Sequence, residues 1–205
     1  MYLYPKWIRA WHLLNALLFI ILIVTGLSMQ YTDSESSTYR VGFALAVKWH
    51  NYAAFTLTAS YVFFVIGNII TKNGRYYRIE RKNFTKNLLK QLKYYSFGIF
   101  KGEKHPFPVT MERKFNPLQK FSYVLAMYVG MPLLIISGFV LLFPEMAPNN
   151  VFGMSGLVLN DVLHITMGFL LSIFMLIHIY TCTLGSKPSS LFYGMISGYH
   201  RSDDH

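Results

Sequence analysis

The sequence predicts an all-α membrane protein built as a bundle of four transmembrane helices. Three observations carry this reading. Hydrophobic residues make up 53% of the 205, with a mean hydropathy of +0.33. They gather into four runs, each long enough for the ~20 helical residues that a bilayer crossing takes. The charged residues fall mainly between and beyond those runs.

The first span runs from about Trp7 to Gln30. Lys6 and Arg9 ahead of the apolar run Leu13–Leu27 resemble the start of a signal peptide. The run is long for that role, however, and ends in Thr25-Gly26-Leu27-Ser28-Met29 without a clear small-x-small cleavage site, so a retained helix is expected. The second span begins near Val41 and reaches about Ile70, the third covers about Gln119–Phe143, and the fourth about Leu157–Leu184. Between the second and third lies a polar loop, 71–118, with no long apolar run. Inside it Phe84–Phe100 carries Leu88, Leu89, Leu92 and Tyr95 at helical spacing among lysines. That pattern suits either a helix lying on the membrane surface or one packing on a partner subunit. The whole chain, 1–205, reads as a single membrane domain.

The net charge of +10 invites a nucleic-acid reading, which fails once the charges are placed. Lys6 and Arg9 open the first span, 13 basic residues lie from Lys72 to Lys120, and Lys187 and Arg201 follow the fourth span. Four spans put these three regions on one side. The other side holds only Arg40 and Lys48, beside Asp33, Glu35, Glu145 and Asp161. The positive-inside rule then puts both termini and the long loop in the cytoplasm. The basic surplus orients the chain and meets anionic lipid headgroups, with no nucleic acid required. A lone cysteine, Cys182, excludes an intrachain disulfide and a cysteine metal site.

Chemistry is concentrated in histidines. His105, His200 and His205 lie in polar segments, whereas His12, His50, His164 and His178 lie within the spans, where ionisable groups are costly and usually functional. His164 and His178 are 14 residues apart. At ~100° and ~1.5 Å per residue they share a helix face about 21 Å apart along the axis, too far to bind one metal ion. Helix direction sorts the four by depth, pairing His12 with His178 near the inner surface and His50 with His164 near the outer. Two imidazoles from different helices form the axial ligand set of a six-coordinate haem, suited to electron transfer because no position is left open for oxygen. The expected cofactors are two haem b, with the irons held by His12 and His178 (inner) and by His50 and His164 (outer). Gly26, 14 residues after His12, shares its face near the outer site and either leaves room for a porphyrin or packs helices. Gly130, Gly138 and Gly168 read as packing glycines. Interhelical hydrogen bonding or a proton path is the alternative for a single membrane histidine. A metal transporter would want carboxylates or cysteines beside the histidines.

At these residues the chain resembles the di-haem cytochrome b subunits of respiratory hydrogenases and formate dehydrogenases, within the bacterial cytochrome b561-like superfamily. The resemblance rests on Trp11-His12-Leu13-Leu14-Asn15-Ala16, Lys48-Trp49-His50, Asn116-Pro117-Leu118-Gln119-Lys120, the His164/His178 spacing, His178-Ile179-Tyr180 and Tyr193 to Gly198. It implies a bacterial inner-membrane location and a quinone site near the inner haem, with Asn116 and Gln119 matching the amides of the family's loop motif. A side-chain amide can hydrogen-bond a quinone carbonyl; equally, Asn116 ahead of Pro117 can cap the third helix.

Together these features predict an electron-transfer subunit of a quinone-linked complex. It would carry electrons between a periplasmic partner, such as a multihaem cytochrome c or an iron–sulfur protein, and the quinone pool. The outer contact surface is expected in Tyr31–Tyr39. The rivals are a stand-alone quinone reductase of the cytochrome b561 type, which would not need so long a loop, and a haem-free anchor.

Overall fold

The computed structural model describes residues 1–31, 42–80, 82–185 and 188–200. Most of the expected outer contact surface, residues 32–39, lies outside these, as do Arg40, Lys187, Arg201 and the start of the second span at Val41. Among the described residues all regular structure is helical, apart from two isolated bridges, Tyr2–Tyr199 and Val151–Met154.

Four helices are long and apolar enough to cross a membrane: α1 (Lys6–Gln30), α2 (Phe43–Ile70), α4 (Pro117–Leu142) and α5 (Gly156–Cys182). Each agrees with its expected span to within about two residues at either end, so the fold is the all-α, four-span architecture read from the sequence. Among the described residues there are also two short α-helices, α3 (Phe84–Lys93) in the polar loop and α6 (Ser190–Ser197) near the end.

Local chemistry sets the boundaries. α4 opens with Asn116 as N-cap and Pro117 in the first turn, where a missing N–H costs nothing. Asn116 Oδ1 accepts from Gln119 N at 2.9 Å, and Gln119 Oε1 accepts from Asn116 N at 3.2 Å. This is a reciprocal capping box. Midway, α4 widens into a π-turn at Ala126–Gly130 immediately before Pro132. Proline cannot donate to the preceding turn and crowds its carbonyl, so a locally wider helix accommodates it without a break. Gly198, at φ 87, closes α6 in the left-handed region.

Burial is inverted relative to a water-soluble bundle. On α1 the buried positions include Asn15, Thr25 and Ser28, whereas Leu13, Leu17, Ile20, Val24 and Leu27 are exposed. Hydroxyls within the spans bond the carbonyl four residues back, as in Ser28 to Val24 and Ser172 to Gly168 at 2.7 Å each. Apolar surface facing outward with small and polar residues inward is how helices pack in lipid.

The chain forms two compact units, and each long helix contributes to both. One comprises 10–66 and 133–172; the other comprises 1–9, 67–132 and 173–205. In the first, Trp11 stacks on Phe64 with centroids 4.2 Å apart and donates Nε1–H to Ser60 O, while Asn15 Nδ2 donates to Ser60 Oγ. In the second, the chain ends are tied together. The Met1 amino group donates to His200 O and His200 N to Met1 O, both at 2.8 Å, and Leu3 and Tyr4 donate to Gly198 O. Both ends of the described chain therefore lie together. α3 packs on α4 through a buried face containing Gln91, while Leu89, Leu92, Phe97 and Phe100 remain exposed among lysines.

Candidate functional site

His50 and His164 meet in the first unit. Their ring centroids are 6.4 Å apart, with planes inclined at 68°. Each ring is held from behind by a hydroxyl. His50 Nδ1 lies 2.9 Å from Thr25 Oγ1, and His164 Nδ1 lies 3.0 Å from Ser137 Oγ. The direction of these bonds follows from counting protons. Thr25 donates its one hydroxyl hydrogen to Ile21 O at 2.7 Å, and Ser137 donates its own to Leu134 O at 3.1 Å. Each hydroxyl must therefore accept from the imidazole, so each histidine carries its proton on Nδ1 and a bare lone pair on Nε2. Asn160 Nδ2 donates to Ser137 O at 2.9 Å and holds that segment in place.

The two supports repeat one pattern. Leu22-Ile23-Val24-Thr25-Gly26 and Leu134-Ile135-Ile136-Ser137-Gly138 both read L-x-x-[Ser/Thr]-Gly. A Cβ at Gly26 would lie 3.6 Å from His50 Cε1, and one at Gly138 would lie 3.2 Å from His164 Cε1. Gly26, a candidate from the sequence, is thus beside the His50 ring. Gly138, read as a packing glycine, holds the matching and tighter place beside His164. Sequence reasoning also passed over Thr25 and Ser137; the repeated five-residue pattern was the signal available.

His178, in the second unit, has different surroundings. Its Nδ1 lies 3.2 Å from the Tyr123 hydroxyl, Phe174 stacks at 6.1 Å between centroids, and Cys182 Sγ is 4.0 Å from Nε2. Phe115 packs edge-on to Tyr123 at 5.0 Å. His12, half-buried in α1, belongs to the first unit, so the structure describes it apart from His178. Asn116 and Gln119 are occupied in the α4 cap, and Asn116 Nδ2 also donates to Tyr95 Oη at 3.0 Å. One Asn116 N–H and the Gln119 amide group remain beyond these bonds.

Residues 3–198 match the family of prokaryotic cytochrome b561. The chain belongs to that family. It is also 39% identical over 201 residues, 98% of this chain and 74% of the relative, to the "Putative cytochrome YdhU" of Escherichia coli (strain K12). No solved structure matches it. The chain is accordingly a multi-pass membrane cytochrome of the b561 type, a haem b-binding electron-transfer protein.

The residues fit that cofactor. Metal–imidazole bonds are about 2.0 Å long, so two imidazoles on opposite faces of one iron bring their ring centroids to roughly 6 Å. The His50–His164 pair meets this spacing, with both Nε2 lone pairs available.

Proposed function

We infer that this cytochrome holds two haems and passes electrons between a periplasmic partner subunit and the quinone pool. The observation that carries the reading is the His50–His164 pair, 6.4 Å apart and buttressed on both sides by hydroxyls that fix Nε2 as the free nitrogen. His50 and His164 are the axial ligands of the outer haem, and His12 with His178 those of the inner one. The paired depths of the four histidines on helices of alternating direction support the second site.

Each iron, when bound, carries one electron at a time; the redox chemistry is the cofactor's. The chain's residues do the rest. Thr25 and Ser137 orient the outer imidazoles and make them better donors by accepting their Nδ1 protons. Tyr123 is placed to do the same for His178. Asn116 and Gln119 stand at the entry of α4, where the unused Gln119 amide and the second Asn116 N–H are suited to a quinone carbonyl. The basic loop and both termini lie in the cytoplasm of a bacterial inner membrane, and α3 rests on that membrane's surface with its lysines among anionic headgroups. The outer haem exchanges electrons with a multihaem cytochrome c or an iron–sulfur subunit in a hetero-oligomer.

The decisive experiment is a reduced-minus-oxidised spectrum of the purified protein with haem quantification. Two bis-histidine haems per chain are expected. His164→Ala and His178→Ala should each remove one haem and leave the other. Two haems surviving either substitution would refute the pairing. Co-purification of a redox subunit, or its absence, separates the complex from a stand-alone quinone reductase.

A further inference from the structure

The connection between α4 and α5 holds the most exposed large apolar side chain among the described residues. Phe152 is 98% exposed, and Met146 and Met154 in the same connection are 62% and 52% exposed. The Phe152 backbone is strained as well. Phe152 and Gly153 stand at φ 53 and φ 83 between Val151 and Met154, which exchange both of their hydrogen bonds at 2.8 and 3.1 Å. Positive φ at both central residues marks a type I′ hairpin, whose first central position favours asparagine, aspartate or glycine. A bulky side chain held there is an outlier, and at this exposure it gains nothing from packing in return.

The hairpin is also braced. Asn150 Oδ1 accepts from Gly153 N at 2.8 Å. At the base Pro148 and Gly156 touch so closely that a Cβ at Gly156 would lie 2.2 Å from Pro148 O. The turn Pro144–Met146 before it is closed by Met146 N and Ala147 N, which donate to Phe143 O and Pro144 O at 3.0 Å each. The chain thus tolerates strain in order to hold an apolar ring rigidly away from its own fold, and such strain is characteristic of functional positions.

Lipid is a poor cover for this ring. The Phe152 N–H has no acceptor among the described residues, and an unpaired amide is excluded from hydrocarbon. Phenylalanine also lacks the polar tip that places tyrosine and tryptophan at membrane interfaces. A protein interface suits it better, because aromatic rings and methionines are enriched in interface cores and a preorganised anchor loses little freedom on binding. The charged side chains described in this compact unit are Glu145, Asp161 and Lys48. The two carboxylates flank the hairpin along the chain and are exposed, whereas Lys48 lies on α2. A partner seated here meets an apolar knob between carboxylates, which a basic rim complements. The same unit holds His50 and His164, and His164 stands eight residues, ~12 Å of helix, beyond Gly156.

We propose that the Phe152 hairpin is the anchor on which the periplasmic redox subunit docks beside the outer site, its ring entering an apolar pocket with a basic rim. The proposal rests on the electron-transfer reading above, which places this end of the bundle outside.

The test titrates a fluorophore-labelled, basic, soluble cytochrome c onto the full haem-loaded chain in phosphatidylcholine nanodiscs. The wild type should bind it, and Phe152→Asn should weaken binding about tenfold, the loss expected of an interface anchor. That substitution makes the Asn-Gly pair this turn favours, so thermal stability should hold or rise and the haem spectra should not change. Phe152→Tyr should bind as the wild type does. Glu145→Gln with Asp161→Asn should weaken binding and flatten its salt dependence. Unchanged affinity in Phe152→Asn, or no wild-type binding beyond that of empty nanodiscs, would overturn the proposal and leave the haem reading standing. The fluorescence of Phe152→Trp, taken as the difference from wild type, should be quenched by aqueous iodide and not by brominated lipid chains. Quenching by the chains would assign the tip to the membrane, and a wild-type dimer that Phe152→Asn dissociates would assign it to a second copy; either result overturns the proposal. A wild type with no His164-dependent haem would overturn the electron-transfer reading and the proposal with it.

Discussion

Removal of the Ser137 hydroxyl should loosen and retune the outer haem. Ser137 is 1% exposed, and its Oγ is the acceptor for His164 Nδ1–H at 3.0 Å. Ser137→Ala leaves a buried N–H short of its acceptor, a loss of about 1–3 kcal/mol. Support of this kind behind a metal-bound imidazole is typically worth 10–100-fold in metal affinity. The imidazole also becomes a weaker donor to iron, so the outer haem's midpoint potential should rise. Haem loss to an excess of apomyoglobin and a redox titration measure the two effects. Thr25→Val, which keeps the shape and removes the acceptor, should act on the same haem through His50. Ser137→Thr should behave as the wild type. If Ser137→Ala and Thr25→Val both leave outer-haem loss and potential unchanged, the hydroxyls do not support axial ligands and the outer pairing loses its main evidence.

Glycine substitutions should separate the two supports. Gly138→Ala, with a Cβ 3.2 Å from His164 Cε1, should disturb the low-spin electron paramagnetic resonance signal of the outer haem more than Gly26→Ala, whose Cβ sits at an ordinary 3.6 Å from His50. Asn116→Asp keeps the oxygen acceptor of the cap but loses the amide donors, so it should hold thermal stability. It should also slow quinol-driven haem reduction if Asn116 contacts quinone; Asn116→Ala should lower stability by about 1 kcal/mol through the lost cap. Lys114 makes haem-free protein pH-sensitive. Its proton leaves the folded state near pH 8 but the unfolded chain near 10.5, so the unfolded state binds more protons in that window and stability rises with pH across it, by up to ~3 kcal/mol. Thermal unfolding in detergent between pH 7 and 10.5 should show that rise without haem and lose it in Lys114→Met.

Span positions were legible because lipid imposes a one-dimensional rule: about 20 apolar residues per crossing and charge outside it. The four histidines stood out for the same reason, being the ionisable groups left well inside the runs. What the sequence concealed was small and polar. Thr25 and Ser137 look like ordinary span residues, since hydroxyls are tolerated in lipid by bonding back along their own helix, and both do so while also accepting from a histidine on another helix. Lys114 reads as one more charge in a basic loop, and only the fold turns it inward against Tyr76 and Asn73. Asn116 was legible in either of two roles, whereas the part of Gln119 in the cap was not. The cap uses the atoms that a capping box needs, leaving only amide N–H groups for a ligand.

The proposed outer site is built from two equivalent helical hairpins, and this bears on how two haems would differ. In each, the first helix (α1 or α4) carries L-x-x-[Ser/Thr]-Gly near its end, and the second (α2 or α5) carries its histidine about two turns in, at His50 or His164. Each hydroxyl supports the histidine of its own hairpin, so the two outer ligands have like donors, like tautomers and a glycine beside each ring. The inner candidates break this symmetry. His178 leans on the phenol of Tyr123 instead of an aliphatic hydroxyl already committed to a carbonyl. A phenol is free to donate as well as accept, and a histidine that accepts at Nδ1 would carry its proton on Nε2 until a metal displaced it. Haem capture at His178 should therefore move that proton from Nε2 to Nδ1 and turn the Tyr123 hydroxyl from donor to acceptor, a change that capture at His50 and His164 does not need. Tyr123→Phe should abolish it, as read by the tyrosine bands of the infrared difference spectrum on haem addition to apoprotein variants carrying one site each. Tyrosine bands that stay unmoved when haem binds the His178 site of the otherwise unmodified chain would refute the asymmetry.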